Sequence, residues 1–548
     1  MNSKYQWTSA PQVSSDQELL KVLLASRGVD SNAKLKSYLK PTVDSVYDPF
    51  LLHDMQKAID RINIAIENNE RIVIYGDYDA DGITSTSLLM DVLSMLGANV
   101  SYYVPDRFLD GYGPNKDAYA RIIKSGCDLV ITVDNGVSGK NVIDWAVDQG
   151  IDVVITDHHE IPDELPTKAV AIVHPAYPGS QYPFTGLSGV GVAFKVAWAL
   201  LGQMPVEELD LVALGEIADV VPVNDENRWL IMTGLKTISI GSRLGLAKLL
   251  MLSGLDHRDI TSIDVGFDLA PRLNALGRIA DASDGVKLLT THSQVQADKL
   301  ASETEQLNQL RKDLVSDIYN EAKMQVKGND NDALIIYGHN WHQGVLGIVA
   351  SNILTDTGKP VVVVSNYDND HIAKGSGRSR DGFNLYTALN PHRNLMAGFG
   401  GHPQACGLSV DVDQIDELQK AFNVEAQNQG FSSNQKAPLN VDAVVSPDLV
   451  NNVNVYNQIQ QMQPYGPQNV QPELRINYAF VEDVKYMGDH NQHVRFRVGK
   501  LTCVMFNVPE NVIIKEGQYL DLVGKLNLNY WHDNVTVQFM VDDVKSSN

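Results

Sequence analysis

Residues 71–90, RIVIYGDYDADGITSTSLLM, limit what this chain can fold into more than any other stretch. The β-branched run Ile72-Val73-Ile74 predicts a buried strand that stops at Gly76. Asp77, Asp79 and Asp81 follow, then Gly82, and Thr84-Ser85-Thr86-Ser87 open an amphipathic helix ending in Leu88-Leu89-Met90. Carboxylates this close repel one another unless cations sit among them. They also fall in the turn after a strand, where open α/β sheets hold their ligands. A polar turn that only caps a helix would use the same residue types, so the rest of the chain has to decide.

From Arg71 onward strand and helix patterns alternate. Strands are expected at 99–104, 128–133, 152–156 and 169–173, with helices at 116–125 and 140–149 between them. Such alternation gives a parallel, doubly wound sheet. A helical region runs from Gly189 to about Thr291, and apolar residues at Leu300, Leu307, Leu310, Leu314, Ile318 and Ala322 predict one long helix. A smaller α/β unit with strands at 333–337 and 360–364 comes next, then a linker at 431–439. The last hundred or so residues alternate with period two, as in Val535–Val541, and predict a small antiparallel barrel. The expected organisation is a helical lead-in at 1–70, a main α/β domain with helical subdomain at 71–290, a connecting helix at 291–328, a second α/β domain at 329–430 and a barrel at 440–548.

Composition excludes little. Hydrophobic content of 44% with 20% charged residues is ordinary for a globular chain. The first residues contain no apolar core of a signal peptide, and no apolar run is long enough to span a membrane. Cys127, Cys406 and Cys503 form no CxxC pair, which points to a reducing cytoplasm. The formal net charge of −23 argues against broad binding to duplex nucleic acid. It leaves room for a local single-strand channel, because bound cations neutralise clustered acids and the potential of a cleft outweighs the chain-wide sum.

Three separate strands end in candidate metal ligands: Asp77, Asp79 and Asp81; Asp134; and Asp157-His158-His159. In a parallel sheet these ends share one edge. Asp219, read as lying inside an apolar helix between Ile217-Ala218 and Val220-Val221, needs a partner or a metal. Any one of these acids could simply cap a helix; together with a His-His pair they point to a metal site. Aspartates with one or two imidazoles favour Mn²⁺ or Mg²⁺ over zinc. Several acids with a bridging Asp suit two ions, which implies metal-assisted phosphoester hydrolysis.

YGDYDADG, VDNG, the DHH triplet at 157–159 and EIADVVP resemble motifs of the DHH phosphoesterase superfamily. APRLNALGR, HQGVLGIVAS, GSGRS and GFGGHPQACG are similar to those of its RecJ-like branch of single-strand exonucleases, which carries a DHH-associated domain (DHHA1). The resemblance covers about Asp48 to Val410 and weakens toward the C-terminus. It implies degradation of single-stranded DNA from the 5′ end, without ATP, in repair and recombination. It assigns metal ligation to Asp79, Asp81, Asp134, His158 and Asp219, with Asp134 as the bridge. Asp77 and Asp157 either ligate or orient a ligand, and His159 faces the scissile phosphate or the attacking water. Tyr75 stands where related pyrophosphatases have a metal-binding His, which implies a more loosely held first ion.

Substrate contacts are expected from two further regions. Gly375-Ser376-Gly377-Arg378-Ser379 and Gly400-Gly401-His402 read as glycine loops that grip phosphate, with Arg378, Ser376, Ser379 and His402 supplying the donors. Arg272, Asn274 and Arg278 share one side of a helix and suit backbone contacts, with an ion pair to Asp281 or Asp284 as the structural alternative. By resemblance the second domain closes over the active edge. Asn352 and Leu276 depart from the usual pattern. In the C-terminal barrel, Tyr478, Phe480, Tyr486, Phe496, Tyr530 and Trp531 interleave with Arg475, Lys485, Arg495, Arg497 and Lys525. That mixture suits base stacking in an OB-like fold, and core packing equally. The expected partners are single-stranded DNA and a single-strand DNA-binding protein, with a monomeric chain and no membrane. Alternatives are a phosphodiesterase for short oligonucleotides or cyclic dinucleotides, and a non-catalytic single-strand-binding scaffold.

Overall fold

Arg71–Tyr75 (β1) lies second from one edge of the main sheet, beside its central strand. With it run Asn99–Tyr103 (β2), Leu129–Val133 (β3), Asp152–Thr156 (β4) and Ala171–Val173 (β5) in a computed structural model. The structure describes residues 3–256, 258–367, 370–432, 436–509, 512–531 and 534–547. The side chains of Tyr530 and Trp531, two of the expected stacking aromatics, lie outside that description. All five strands pair in parallel in the order β2-β1-β3-β4-β5. Strand order therefore reverses between β1 and β3, and their C-terminal ends open a crevice at that point.

Helices cover both faces. Val73 and Tyr75 of β1 join Val130, Val153 and Ile155 in a core with helices α2 (Lys116–Lys124) and α3 (Lys140–Asp148). Ile72 and Ile74, also fully buried, point to the other face by strand alternation. Helix α1 (Ala80–Met95) packs there with α4 (Gly189–Leu201) and α5 (Leu209–Ala218). Instead of being amphipathic as the sequence suggests, α1 is buried over nearly its whole first three turns. Its Thr84, Ser85, Thr86 and Ser87 hydroxyls donate to the carbonyls of Ala80, Asp81, Gly82 and Ile83, which lets four polar side chains sit in the interior. Helix α6 (Ala270–Ile279) follows, then the long helix α7 (Gln294–Val326).

The chain divides into two compact units, 1–305 with 438–548, and 306–437. The second unit has strands Leu334–His339 (β6), Val361–Asn366 (β7), Ile372–Arg378 (β8), Met396–Gly401 (β9) and Ala405–Asp411 (β10) in the order β9-β10-β8-β7-β6. Only β6 and β7 pair in parallel. The expected glycine loops are strands. A Cβ on Gly375 would lie 2.4 Å from Val364 Cγ1, and one on Gly377 2.5 Å from Cys406 Sγ, so these glycines let neighbouring chain segments pack closely.

The C-terminal segment forms a seven-stranded sheet. Its ladders are antiparallel except where Ala443–Val444 meets Leu474–Arg475 and where 502–504 meets 538–540. The N-terminal residues do not act as a simple lead-in to β1. Helix Asp16–Ala25 buries Leu19, Leu23 and Leu24 in the core of this C-terminal sheet, and Gln6–Trp7 pairs with Pro438–Leu439. Replacing fully buried Leu23 by Ala is expected to cost about 2–5 kcal/mol in denaturant unfolding. Mn²⁺ binding measured on the folded variant should stay at the wild-type level.

Candidate metal centre

Each acidic strand end is held in place by local chemistry. Asp79 caps α1, its Oδ1 accepting from Gly82 N at 3.0 Å, so the capping and ligand readings of this residue are compatible. Asp81, in the first turn, accepts from Gly189 N (2.6 Å), Val190 N (2.9 Å) and Ser188 Oγ (3.2 Å) at the start of α4. A helix N-terminus thus faces its carboxylate. Asp134 leaves β3 in the left-handed region, φ 60°, and Gly189 packs so close that a Cβ would lie 2.5 Å from Asp134 Cβ. Asp219 is the C-cap of α5 and does not lie inside the helix; the exposed Val220 after it sits at φ 61°, a strained value for a β-branched residue.

These groups converge. Ligand atoms of Asp77, Asp79 and Asp134 lie within 4.8 Å of one another, as do those of Asp81, His158 and Asp219, and those of Asp134, His158 and His159. His158 Nε2 is 3.1 Å from Asp134 Oδ1, 3.6 Å from Asp219 Oδ2 and 3.9 Å from Asp81 Oδ2. Asp134 and His158 each belong to two groups, so they join the cluster into one double site. Among the described residues its ion pairs run to His158 and His159 and none to Lys or Arg. Asp77 is 2% exposed and its Oδ1 has no hydrogen-bond partner. An orphaned buried carboxylate oxygen beside acids that lack cationic partners fits a divalent cation.

Electrostatics agree. Burial and then Asp79 raise Asp77 and push Asp81 up to about 7. Burial, Asp81 and Asp79 raise Asp134, and the same three push Asp219 up to about 8. Burial, with His159 beside it, drives His158 down to about 3, leaving the neutral imidazole that a metal requires. Asp157 behaves differently and belongs to none of the three groups. Burial works to raise it, but the His159 ring and the Val137 amide outweigh that and hold it at about 2. Its Oδ1 accepts from His158 N, His159 N and the His159 ring, and its Oδ2 from Val137 N. It orients the two histidines. Burial lowers His159, but Asp157 more than compensates and lifts it to about 9.

Several expected substrate contacts are engaged inside the protein. Arg272, 6% exposed, pairs with Glu305 at 2.5 Å and donates to Asp268 O, so its structural partner is Glu305 and neither Asp281 nor Asp284. Asn274 Oδ1 accepts from Ala80 N, and a Cβ on Gly277 would lie 2.0 Å from Tyr78 O. Helix α6 therefore buttresses the acidic loop; Arg278 on it is half-buried. Tyr75 is fully buried among Tyr103 and Tyr119 and donates to Gly113 O, away from a ligand role. In the second unit, Arg378 donates to Ser376 Oγ and Gly377 O, and a Cβ on Gly347, at the start of helix Leu346–Thr357, would lie 2.9 Å from its Nη2. Ser379 is turned inward, donating to Phe383 O. Gly401 sits at φ 157° in β9, and His402 is exposed. In the C-terminal sheet Tyr478 and Phe480 are exposed, whereas Phe496 is core and Tyr486 donates to Ile514 O.

Sequence reading missed four contributors. Asn135 Nδ2 donates to the Tyr75, Gly76 and Val133 carbonyls, stapling the ends of β1 and β3. His174 Nε2 is 2.8 Å from His159 O. Tyr112 sets its ring 5.3 Å from that of His159, and Arg107 stacks 3.9 Å over Tyr78 while donating to Gly277 O. The asparagine in VDNG was the available signal; the others lie on loops without periodicity.

A parallel sheet whose switch point gathers these acids and imidazoles defines a phosphoesterase of the DHH class, and residues 71–216 match the DHH family, N-terminal domain. Residues 330–428 match the DHHA1 domain and 441–543 the RecJ OB domain. The single-stranded-DNA-specific exonuclease RecJ of Bacillus subtilis is 40% identical over 536 residues, covering 96% of this chain and 68% of that protein. The RecJ of Dickeya dadantii is 35% identical over 569 residues, covering 96% and 95%. A crystal structure of RecJ in complex with Mn²⁺ from Thermus thermophilus superposes with TM-score 0.84 and 27% identity, covering 99% of this chain and 79% of that one. The chain belongs to the RecJ family.

The raised carboxyls make a pH signature. Below about 7 to 8, Asp81 and Asp219 carry protons that a cation has to displace. Mn²⁺ affinity is expected to rise with pH through that window and level off above it, with proton release visible as a buffer-dependent heat in calorimetry. A flat affinity would contradict the ligand assignment of these two acids.

Proposed function

We propose that this chain hydrolyses phosphodiester bonds of single-stranded DNA, from the 5′ end toward the 3′ end, using two divalent cations, Mn²⁺ or Mg²⁺. The observation that carries the reading is the double acid–imidazole cluster at the β1/β3 crevice, which lacks a Lys or Arg partner among the described residues. Membership of a family whose named relatives are single-stranded-DNA-specific exonucleases supports the substrate. The 5′→3′ direction and the role in repair and recombination follow from that relationship. When bound, such a pair of ions acidifies water and offsets charge on the phosphate.

The chain's own groups do the rest. Asp77, Asp79, Asp81, Asp134, His158 and Asp219 would hold the ions, with Asp134 shared between them. Asp157 holds the His159 imidazole and the backbone amides of both histidines. His159, which Asp157 lifts to about 9, is 39% exposed on its side chain, so its ring can donate to a phosphate oxygen of a bound strand. In the second unit Arg378 and Ser376, beside the start of helix Leu346–Thr357, suit an anionic oxygen. Exposed Tyr478 and Phe480, with the Tyr519 ring tilted against Phe480 at 5.1 Å, offer base-stacking faces on the C-terminal sheet. No helix among the described residues is long and apolar enough to cross a membrane. We place the enzyme in the cytoplasm as a monomer that also meets a single-strand DNA-binding protein.

Digestion of a single-stranded oligonucleotide labelled at either end, with a duplex control, tests this directly. Loss of a 5′ label as mononucleotide in the first turnovers, with the duplex spared, is expected; release from the 3′ end would overturn the direction. Asp134→Ala should abolish cleavage, by at least about 10³-fold, while single-strand binding falls little; full activity in Mn²⁺ would remove the bridging role. Arg378→Ala should raise KM for the strand while its Mn²⁺ titration matches wild type.

A further inference from the structure

Directly behind Asp81 lies a second buried acid, the one that opens the EIADVVP motif, which belongs to none of the three metal groups. Glu216, on α5, is 0% exposed. Its Oε1 accepts from Ser188 N at 3.2 Å, and its Oε2 has no hydrogen-bond partner. Gly191 makes room for it, since a Cβ there would lie 2.2 Å from Oε1. Ser188 in turn donates through Oγ to Asp81 Oδ1, and the next two amides, Gly189 N and Val190 N, hold the same carboxylate. A chain of contacts therefore runs Glu216, Ser188, Asp81, from the interior to the metal cluster.

The cation balance of this region fixes the state of Glu216. Lys195 is the neighbouring buried cation, and it is spent on Glu226, 2.7 Å from Oε2, and on the Tyr47 carbonyl at 2.7 Å. Tyr182 occupies the other oxygen of Glu226. Among the described residues nothing positive remains for Glu216, and an unpaired buried carboxylate would cost several kcal/mol. Burial, with Asp81 next, raises Glu216 well above the ordinary carboxyl range.

We propose that Glu216 is a positioning residue of the metal centre: as an uncharged carboxylic acid it anchors the Ser188 turn, whose hydroxyl and following amides set the Asp81 carboxylate in its ligating orientation. The inference rests on the metal-centre reading, so wild-type protein is titrated in the same experiment. Mn²⁺ affinity is measured by calorimetry for wild type, Glu216→Gln, Glu216→Met and Ser188→Ala, each first checked by circular dichroism and thermal melting. Wild type without Mn²⁺ binding would sink the metal centre itself; with wild type binding, the variants judge Glu216 alone. Glu216→Gln keeps an acceptor and no charge, so its affinity should lie within about twofold of wild type. Glu216→Met fills the volume without an acceptor and should bind roughly 10–100-fold more weakly, with kcat falling more than KM rises. Ser188→Ala breaks the next link and should weaken Mn²⁺ in the same direction. Binding lost equally in Glu216→Gln and Glu216→Met would overturn the uncharged role, and wild-type affinity in Glu216→Met would overturn the anchoring. If Glu216→Met does not fold, wild-type affinity in Ser188→Ala overturns the proposal and weakened affinity supports it.

Discussion

Mutual repulsion among the aspartates at the end of β1, β3 and α5 is the constraint the rest of the structure answers to. Two carboxylates at the 4.8 Å limit of the ligand groups repel by roughly 3–4 kcal/mol at an effective dielectric of about 20. Several such pairs share one crevice, so the apoprotein holds part of its acid in the protonated form and the cluster waits for compensating charge. The fold answers with amides and helix ends in place of lysines: the start of α4 faces Asp81, and the Val137 amide faces Asp157. A Lys or Arg at these places would satisfy the acids permanently and close the site to cations.

Holding that geometry requires backbone to approach backbone. Gly82 packs on Asp77, Gly189 on Asp134, Gly215 on Thr84 and Asp81, and Gly277 on Tyr78, each at distances a side chain would obstruct. Asn135 then ties β1 to β3 at the switch point. Rigidity around the acids comes from these contacts, and the buried hydroxyls of α1 remove the need for an apolar surface on that side.

Much of this could be read from residues alone. The strand-then-Asp pattern at 71–81, the Asp134 turn and the 157–159 triplet fixed the sheet and its active edge, because a parallel sheet puts all strand ends together whatever their separation in sequence. What could not be read is where long-range partners lie. Arg272 looked like a phosphate contact, but Glu305, on a helix thirty-three residues on, holds it. The glycines at 375 and 377 looked like loop residues, yet they mark close sheet packing. Helix Asp16–Ala25 has a clear apolar stripe, and periodicity says nothing of which surface covers it. Asp219 appeared mid-helix, because no residue type nearby announces that Val220 will take a left-handed turn.

That last covering surface bears on how the chain is made. Leu19 and Leu23 wait for Leu474 and Ile476, about 450 residues further along, to form their shared core. At about 5–20 residues per second of translation, this is a delay of roughly 20–90 s during which the helix emerges from the ribosome without its partner. The metal-binding sheet is complete by residue 173, so it can form long before the two chain ends meet. Birth of the enzyme is thus staged: the chemistry can assemble first, and the last-made strands close over the first-made helix.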